Sequence, residues 1–368
     1  MLWIPGPTEV RPEILAECAR PAIGHRSKAM VELIERLDPH LRLAFGLGPG
    51  SGAHVAVHSC SASGMMESSL RGVGKRVLCV ENGAFSKRYR QMAELLNKDV
   101  TTLEVTWGEG VDPSELRRAI EEEGPFDAVT IVSNETSTGV RTPLGPIGDV
   151  LRDYPDTLLL VDLVSYIAGA PVDFDANEID FALAGVQKAF ALPPGVTVFC
   201  ATEQYLETAR KQEHRGWYLD PVKLIEGHAN RKTPATPTTS LYYALAKQLE
   251  DISAGVTLPE GQRNKRGDDA WEARFDKHSR MQERTAAWAK GHGLSLFPGP
   301  EFTSPTVSCI NAGSIDVAEF VAGLAERGFE ISNGYGDLKG KTFRIGHMGD
   351  HTEEGLEELL KAADEVLS

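Results

Sequence analysis

Long apolar runs are missing from this 368-residue chain. No stretch approaches the roughly 18 residues that a membrane-spanning helix needs. The opening segment Met1-Leu2-Trp3-Ile4-Pro5-Gly6-Pro7 has neither the basic region nor the apolar core of a secretion signal. Positive charge is scarce as well: 38 Lys and Arg stand against 53 Asp and Glu, a net charge of −15. That balance argues against nucleic acid or an anionic membrane surface as partner, because both attract clustered cations. The five cysteines, Cys18, Cys60, Cys79, Cys200 and Cys309, are odd in number and scattered. With no CxxC and no Cys/His spacing, they exclude a disulfide framework and a zinc site, and predict buried thiols in a reducing compartment. No metal-ligand set is expected elsewhere. A Walker lysine and a GxGxxG loop are also absent, which removes the common nucleotide readings. The sequence shows no internal repeat and no low-complexity segment. The expectation is a cytoplasmic protein without membrane or nucleic-acid partners.

What the chain does have is an ordinary globular composition, 41% hydrophobic and 25% charged, with length for a large core and a second domain. Strand-length apolar runs near 54–58, 76–81, 100–105, 127–132, 157–162, 180–184 and 195–201 alternate with helical stretches at 28–45, 63–73, 84–97, 113–123 and 145–153; a further helix at 203–212 follows the last strand. That alternation predicts an α/β fold around a mainly parallel seven-stranded sheet sandwiched by helices. Past residue 215 the pattern changes. Thr233-Pro234-Ala235-Thr236-Pro237 breaks the chain, a helix follows at 239–253, and the polar segment from Gly255 to Asp269 reads as an exposed loop. A long helix over 270–291 then leads into strands near 306–311 and 342–346 and helices near 316–327 and 352–367, a smaller α+β unit. The division expected is a large domain over 15–255 and a small domain over 256–368 that also takes in segment 1–14.

Three features carry chemistry. Lys188 sits in Gly185-Val186-Gln187-Lys188, between breaker-rich turns and apolar runs, which suits a nucleophile better than a solvated charge. Asp162 ends the run Leu158-Leu159-Leu160-Val161, at the strand edge where α/β proteins gather ligands. Ser61-Ala62-Ser63-Gly64 follows a strand and opens a helix, so small residues, hydroxyls and unpaired N–H groups there can cradle a phosphate. Each alone has a plainer account: a surface lysine, a turn cap for Ser165, a helix cap. Together they match the needs of pyridoxal 5′-phosphate: an acid for the ring nitrogen, an amine for the aldehyde, and an anion cup.

The chain resembles the class V aminotransferases of pyridoxal-phosphate fold type I, above all the alanine/serine–glyoxylate and phosphoserine groups. The likeness is carried in order by Pro5-Gly6-Pro7-Thr8, Gly24-His25-Arg26-Ser27, Ser61-Ala62-Ser63-Gly64, Asn82-Gly83-Ala84-Phe85, Glu135-Thr136-Ser137-Thr138-Gly139-Val140, Val161-Asp162-Leu163-Val164-Ser165, Gly185-Val186-Gln187-Lys188, Lys232-Thr233-Pro234 and Phe343-Arg344-Ile345-Gly346. It implies that Lys188 is the Schiff-base lysine and Asp162 the partner of the pyridinium nitrogen. Ser61, Ala62, Ser63 and Gln187 would hold the phosphate, and Thr233 would reach it from the other subunit of a homodimer whose active site lies at the subunit interface. Phe85 would stack on the ring, where the family often has Trp, and Thr136 would touch the ring hydroxyl region. Arg344 would bind the substrate α-carboxylate, with Gly6, His25 and Arg26 also at the substrate.

For this fold the resemblance implies ping-pong transfer from a small L-amino acid to a 2-oxo acid. O-phospho-L-serine with 2-oxoglutarate leads because His25-Arg26 suits a second anionic group; alanine or serine with glyoxylate stands close behind, and 2-aminoethylphosphonate with pyruvate is third. A lyase of the cysteine desulfurase or kynureninase type, or a non-catalytic cofactor-binding protein, are the readings from other classes. Cys309 lies in an alternating strand pattern, where a buried thiol is inert, which weakens the desulfurase reading. Lys87-Arg88 after Phe85 could point a second positive patch at a distal anionic group, though a solvated helix face is the leading expectation, and His214-Arg215-Gly216-Trp217-Tyr218 is expected either at the substrate mouth or in interface packing.

Overall fold

The apolar runs of the first half become strands because each is rich in Val, Leu, Ala and Phe and bounded by turn formers. The computed structural model describes Met1–Ser368. Its strands are β1 (His54–His58), β2 (Arg76–Glu81), β3 (Asp99–Glu104), β4 (Ala128–Val132), β5 (Asn134–Glu135), β6 (Val140–Arg141), β7 (Leu158–Asp162), β8 (Phe181–Gly185), β9 (Thr197–Ala201), β10 (Val307–Asn311), β11 (Ser332–Asn333) and β12 (Thr342–Gly346). Its helices are α1 (Pro12–Cys18), α2 (Lys28–Ala44), α3 (Ala62–Arg71), α4 (Ala84–Leu95), α5 (Pro113–Glu123), α6 (Leu144–Leu151), α7 (Glu203–Arg210), α8 (Pro221–Ala229), α9 (Thr239–Ser253), α10 (Gly267–Gly291), α11 (Val317–Glu326) and α12 (Glu353–Leu367).

Seven strands form one sheet in the order β1-β9-β8-β7-β4-β2-β3. Only β9 runs against both of its neighbours; the pairs from β8 through β3 are parallel. Both faces are covered, as a parallel sheet requires. In β7, Leu159 and Val161 pack into one core with α2 and α9, while Leu158 and Leu160 pack into another with α3, α4 and α7. The two-residue alternation of a strand divides its side chains between them. The sheet's carboxyl edge therefore carries Asp162 at the end of β7 and the Lys188 turn after β8.

A second antiparallel sheet, β10-β12-β11, packs with α11, α12 and the end of α10 around Phe343, Phe320, Trp288 and Leu359. Trp3 of the opening segment joins this core, whereas Ile14 of α1 lies in the main one. The long α10 serves both: Trp271 is in the main core, Met281 and Trp288 in the second. The segment expected as an exposed loop is shorter than anticipated, since Leu258 is buried and α10 already begins at Gly267. Helices α1 and α8 were not anticipated; each is two turns long, too short to display a 3.6-residue period clearly. No helix is long and apolar enough to cross a membrane.

Candidate active site

The turn after β8 holds its shape through backbone bonds from Ala191 N–H to Lys188 O (2.8 Å) and from Leu192 N–H to Val186 O (3.1 Å). It carries Lys188, a residue only 7% exposed, into a cavity of about 370 Å³. There Nζ donates to Thr136 Oγ1 at 3.0 Å and stands 5.3 Å from the centre of the Phe85 ring. Burial is the main influence on this amine and pulls it down to about 8. Asp162 and Glu135 work against that shift, while Arg344 and Arg88 add to it.

Asp162 is also buried, and burial raises its carboxyl to about 6 against the opposing pull of the Val164 N–H and Lys188. Its Oδ1 accepts from Val164 N–H at 2.7 Å; Ser165 is not its capping partner, because that hydroxyl bonds Asn134 and Thr136 instead. A buried carboxylate with so little protein around it to satisfy its charge suits a cationic ring N–H.

Ser61 occupies the N-cap of α3 without using its side chain as a cap. The hydroxyl and the first-turn N–H groups of Ala62 and Ser63 are thus available at the positive end of the helix, against the cavity. Phe85 lies in the first turn of α4, and its backbone is fixed from a distance. Glu135 Oε2 accepts from the N–H groups of Phe85 (3.0 Å) and Ser86 (2.9 Å), while its Oε1 accepts from Ser137. Gln187 lines the same cavity, and its carbonyl accepts from Thr8 N–H at 3.0 Å.

Arg344, on β12, reaches across from the second sheet. Nε donates to Asn333 O and Nη1 to Thr136 O, both at 3.1 Å, which aims the rest of the planar guanidinium at the cavity. Gly6 faces Lys188 with φ +106°, and a Cβ there would fall 2.8 Å from Lys188 Cγ; only glycine suits both the backbone and the space.

The cavity therefore gathers Gly6, Ser61, Ala62, Ser63, Phe85, Thr136, Asp162, Gln187, Lys188 and Arg344. It does not include His25, Arg26 or Thr233. Those three line a separate cavity of about 510 Å³ with Trp217 and Lys232, and Thr233 Oγ1 is buried there with no partner.

Sequence reasoning missed Tyr335 and ranked a site role for Arg88 second. The pattern put Arg88 on a solvated face, but its guanidinium lies 4.8 Å over the Phe85 ring on the cavity wall, while neighbouring Lys87 is exposed. Position i+3 from Phe85 on α4 was the available signal. Cys309, on β10, is buried and burial raises its thiol to about 11, so it is no nucleophile.

These residues fit pyridoxal 5′-phosphate. The test is the set of groups left without full satisfaction around one space: the uncapped start of α3 for a phosphate, the buried Asp162 for a ring nitrogen, and the Phe85 face with Lys188 Nζ beside it for the ring and aldehyde.

The family profile described as "Aminotransferase class-V" matches residues 58–283. Across 95% of its length the chain is 33% identical to an uncharacterized aminotransferase of Methanocaldococcus jannaschii, covering 88% of that protein. It is 30% identical over 96% of its length to a serine–glyoxylate aminotransferase of Methylorubrum extorquens, again covering 88%. The crystal structure of alanine–glyoxylate aminotransferase from Nostoc sp. superposes with a TM-score of 0.88 at 29% identity, covering 100% of this chain and 95% of that one.

Proposed function

The chain belongs to the class-V aminotransferase family, whose members depend on pyridoxal 5′-phosphate, and we propose that it transfers the amino group of a small L-amino acid to glyoxylate or a similar 2-oxo acid. One observation carries the reaction: Lys188, Asp162, Phe85 and Arg344 face a single cavity. When bound, the cofactor supplies an aldehyde to take up the amino group and a ring that draws electrons from the substrate's Cα.

The rest falls to residues of this chain. Arg344 binds the α-carboxylate with the guanidinium edge left free by Asn333 and Thr136, and so orients the substrate. Lys188 Nζ, lowered to about 8, would take the proton from the donor's Cα and deliver it to the carbon that carried the cofactor's aldehyde, so that the donor leaves as a 2-oxo acid. Thr136 Oγ1 holds that amine in place. Asp162 keeps a positive charge at the ring nitrogen, and the start of α3 anchors the phosphate.

Glyoxylate as acceptor is supported by the likeness to the serine–glyoxylate and alanine–glyoxylate aminotransferases. A homodimer is the natural home for His25, Arg26 and Thr233: the unpartnered Thr233 hydroxyl and the exposed Trp217 beside it suit a surface that completes the site of a second copy.

A second reading, a donor with a further anionic group such as O-phospho-L-serine, is favoured by Arg88. This cation lines the cavity and forms no salt bridge there. Single-turnover rates for alanine, serine, aspartate and phosphoserine decide between the two, followed by loss of the bound cofactor's visible absorbance. The first reading expects alanine or serine to react fastest and Arg88→Gln to leave them within a few-fold. The second expects phosphoserine or aspartate to lead and to lose tenfold or more in Arg88→Gln.

A further inference from the structure

Arg274 of α10 lies outside the cavity, and its side chain is completely buried. A buried guanidinium must satisfy several donors at once. Here Nε donates to Ala168 O at 3.0 Å, Nη2 to Ala189 O at 2.6 Å, and Nη1 to Asp350 Oδ1 at 2.8 Å and Thr257 Oγ1 at 2.9 Å. The first three acceptors share a property. Ala168 is in the turn after β7, the strand that ends on Asp162. Ala189 directly follows Lys188. Asp350 is in the loop after β12, the strand that carries Arg344.

That loop also rests on the lysine turn. Gly349, at φ +75°, leaves just enough room: a Cβ there would lie 3.0 Å from Ala191 Cβ and 3.1 Å from Thr8 Cγ2. Lys277, one turn along α10 from Arg274, donates to Gly349 O at 3.0 Å. Arg11 Nε (2.6 Å) and Gln248 Nε2 (3.0 Å) hold the other oxygen of Asp350. Burial opposes the charge on Asp350, but Arg274, Lys277 and Arg11 outweigh it and hold the carboxyl at about 2. The guanidinium is thus the one group bonded to the loops that follow all three site-bearing strands.

We propose that Arg274, neutralised by Asp350, is a positioning residue for amino transfer: it fixes the spacing between Lys188, which meets the substrate at Cα, and Arg344, which meets the same molecule at its carboxylate. This rests on the aminotransferase reading above. The two groups come from different sheets, and no strand pairing links those sheets. The bond from Arg344 to Thr136 O is one link between these parts, and it borders the cavity; Arg274 makes a second link outside the cavity, on a fully buried side chain. A displacement of about 1 Å between reacting groups can cost about a hundredfold in rate.

Arg274→Lys tests the proposal, because a lysine keeps the charge opposite Asp350 but cannot reach Ala168 O and Ala189 O in the same fork. In the loaded enzyme the expected result is a ten- to hundredfold slower single turnover with the donor that serves wild type best, and a donor Kd changed less than threefold. In the apoprotein, the pH midpoint for amine-reactive labelling of Lys188 moves by at least half a unit. A merely structural role would lower the melting temperature and move neither readout. An Arg274→Lys protein that folds, with single-turnover rate within threefold and an unmoved midpoint, overturns the proposal. If Arg274→Lys does not fold, Asp350→Asn serves: a fivefold or greater loss of rate together with a moved midpoint supports the role, and wild-type behaviour in both overturns it. Wild type that reacts with no amino donor would instead remove the aminotransferase reading, and the labelling midpoint would still decide whether Arg274 positions Lys188.

Discussion

Lys188 Nζ and the Thr136 hydroxyl are 3.0 Å apart, and the carbonyl of the same Thr136 accepts from Arg344 at 3.1 Å. One residue, in the turn that directly follows the two-residue strand β5, therefore touches both the amine and the guanidinium that this reaction needs. Its neighbour Glu135 caps α4, accepting from the N–H groups of Phe85 and Ser86 in the helix's first turn. Three parts of the site, from three distant stretches of sequence, are set by Glu135-Thr136-Ser137.

The lysine's ionisation follows from this setting. In the apoprotein, labelling of Lys188 by an amine-reactive reagent, read site by site by mass spectrometry, is expected to rise with a midpoint near pH 8 rather than near the ordinary 10.5. Asp162 favours the charged amine, so Asp162→Asn moves the midpoint lower still. The folded value lies below the unfolded one, so charged Lys188 lowers stability at neutral pH, and that cost fades as pH rises from about 8 to about 10.5. Lys188→Met accordingly stabilises the apoprotein at pH 7 and has less effect at pH 10 in paired thermal melts.

Arg344→Lys keeps the charge and loses the planar edge. A charge-assisted hydrogen bond is worth about 1.5–3 kcal/mol, so the donor's KM is expected to rise roughly ten- to hundredfold. Steady-state kinetics with kcat and KM separated check this, and a change confined to kcat would argue that Arg344 does not hold the carboxylate.

Gly6→Ala introduces a side chain at φ +106° and 2.8 Å from Lys188 Cγ. The expected stability loss is about 1–3 kcal/mol from strain and overpacking. Turnover falls further than stability accounts for, because the methyl group displaces the lysine. Chemical denaturation and turnover measured on the same preparation separate the two effects.

Glu135→Gln places an amide N–H₂ where the carboxylate accepts from Phe85, Ser86 and Ser137. A loss of about 2 kcal/mol is expected from the weakened bonds. Amide exchange should speed up first in the opening turn of α4, and uniform exchange across the chain would contradict the capping role.

Much of this was legible in the sequence because it depends on local pattern. The seven main strands were readable from apolar runs with breakers at their ends, and Asp162 and Lys188 from their places at two of those ends. Arg88 was misplaced because charge on a helix is ordinarily solvated, and only the stacking partner three residues earlier turns it inward. The Glu135 cap and the Arg274 fork join residues about 50 to 106 positions apart, where no periodicity signals a contact. His25, Arg26 and Thr233 were matched by motif to a site that the single chain does not bring them to. Motif order in a sequence does not say which copy of the chain a residue serves.

The most direct test of the whole account is a single turnover with no acceptor present. Protein loaded with pyridoxal 5′-phosphate and given a small L-amino acid should lose the visible absorbance of the lysine-bound cofactor. It should release one equivalent of the matching 2-oxo acid per site and leave the cofactor aminated, and Lys188→Ala should do this at least about a hundredfold more slowly. Absorbance that persists with every donor tried, or a Lys188→Ala protein that turns over like wild type, would contradict it.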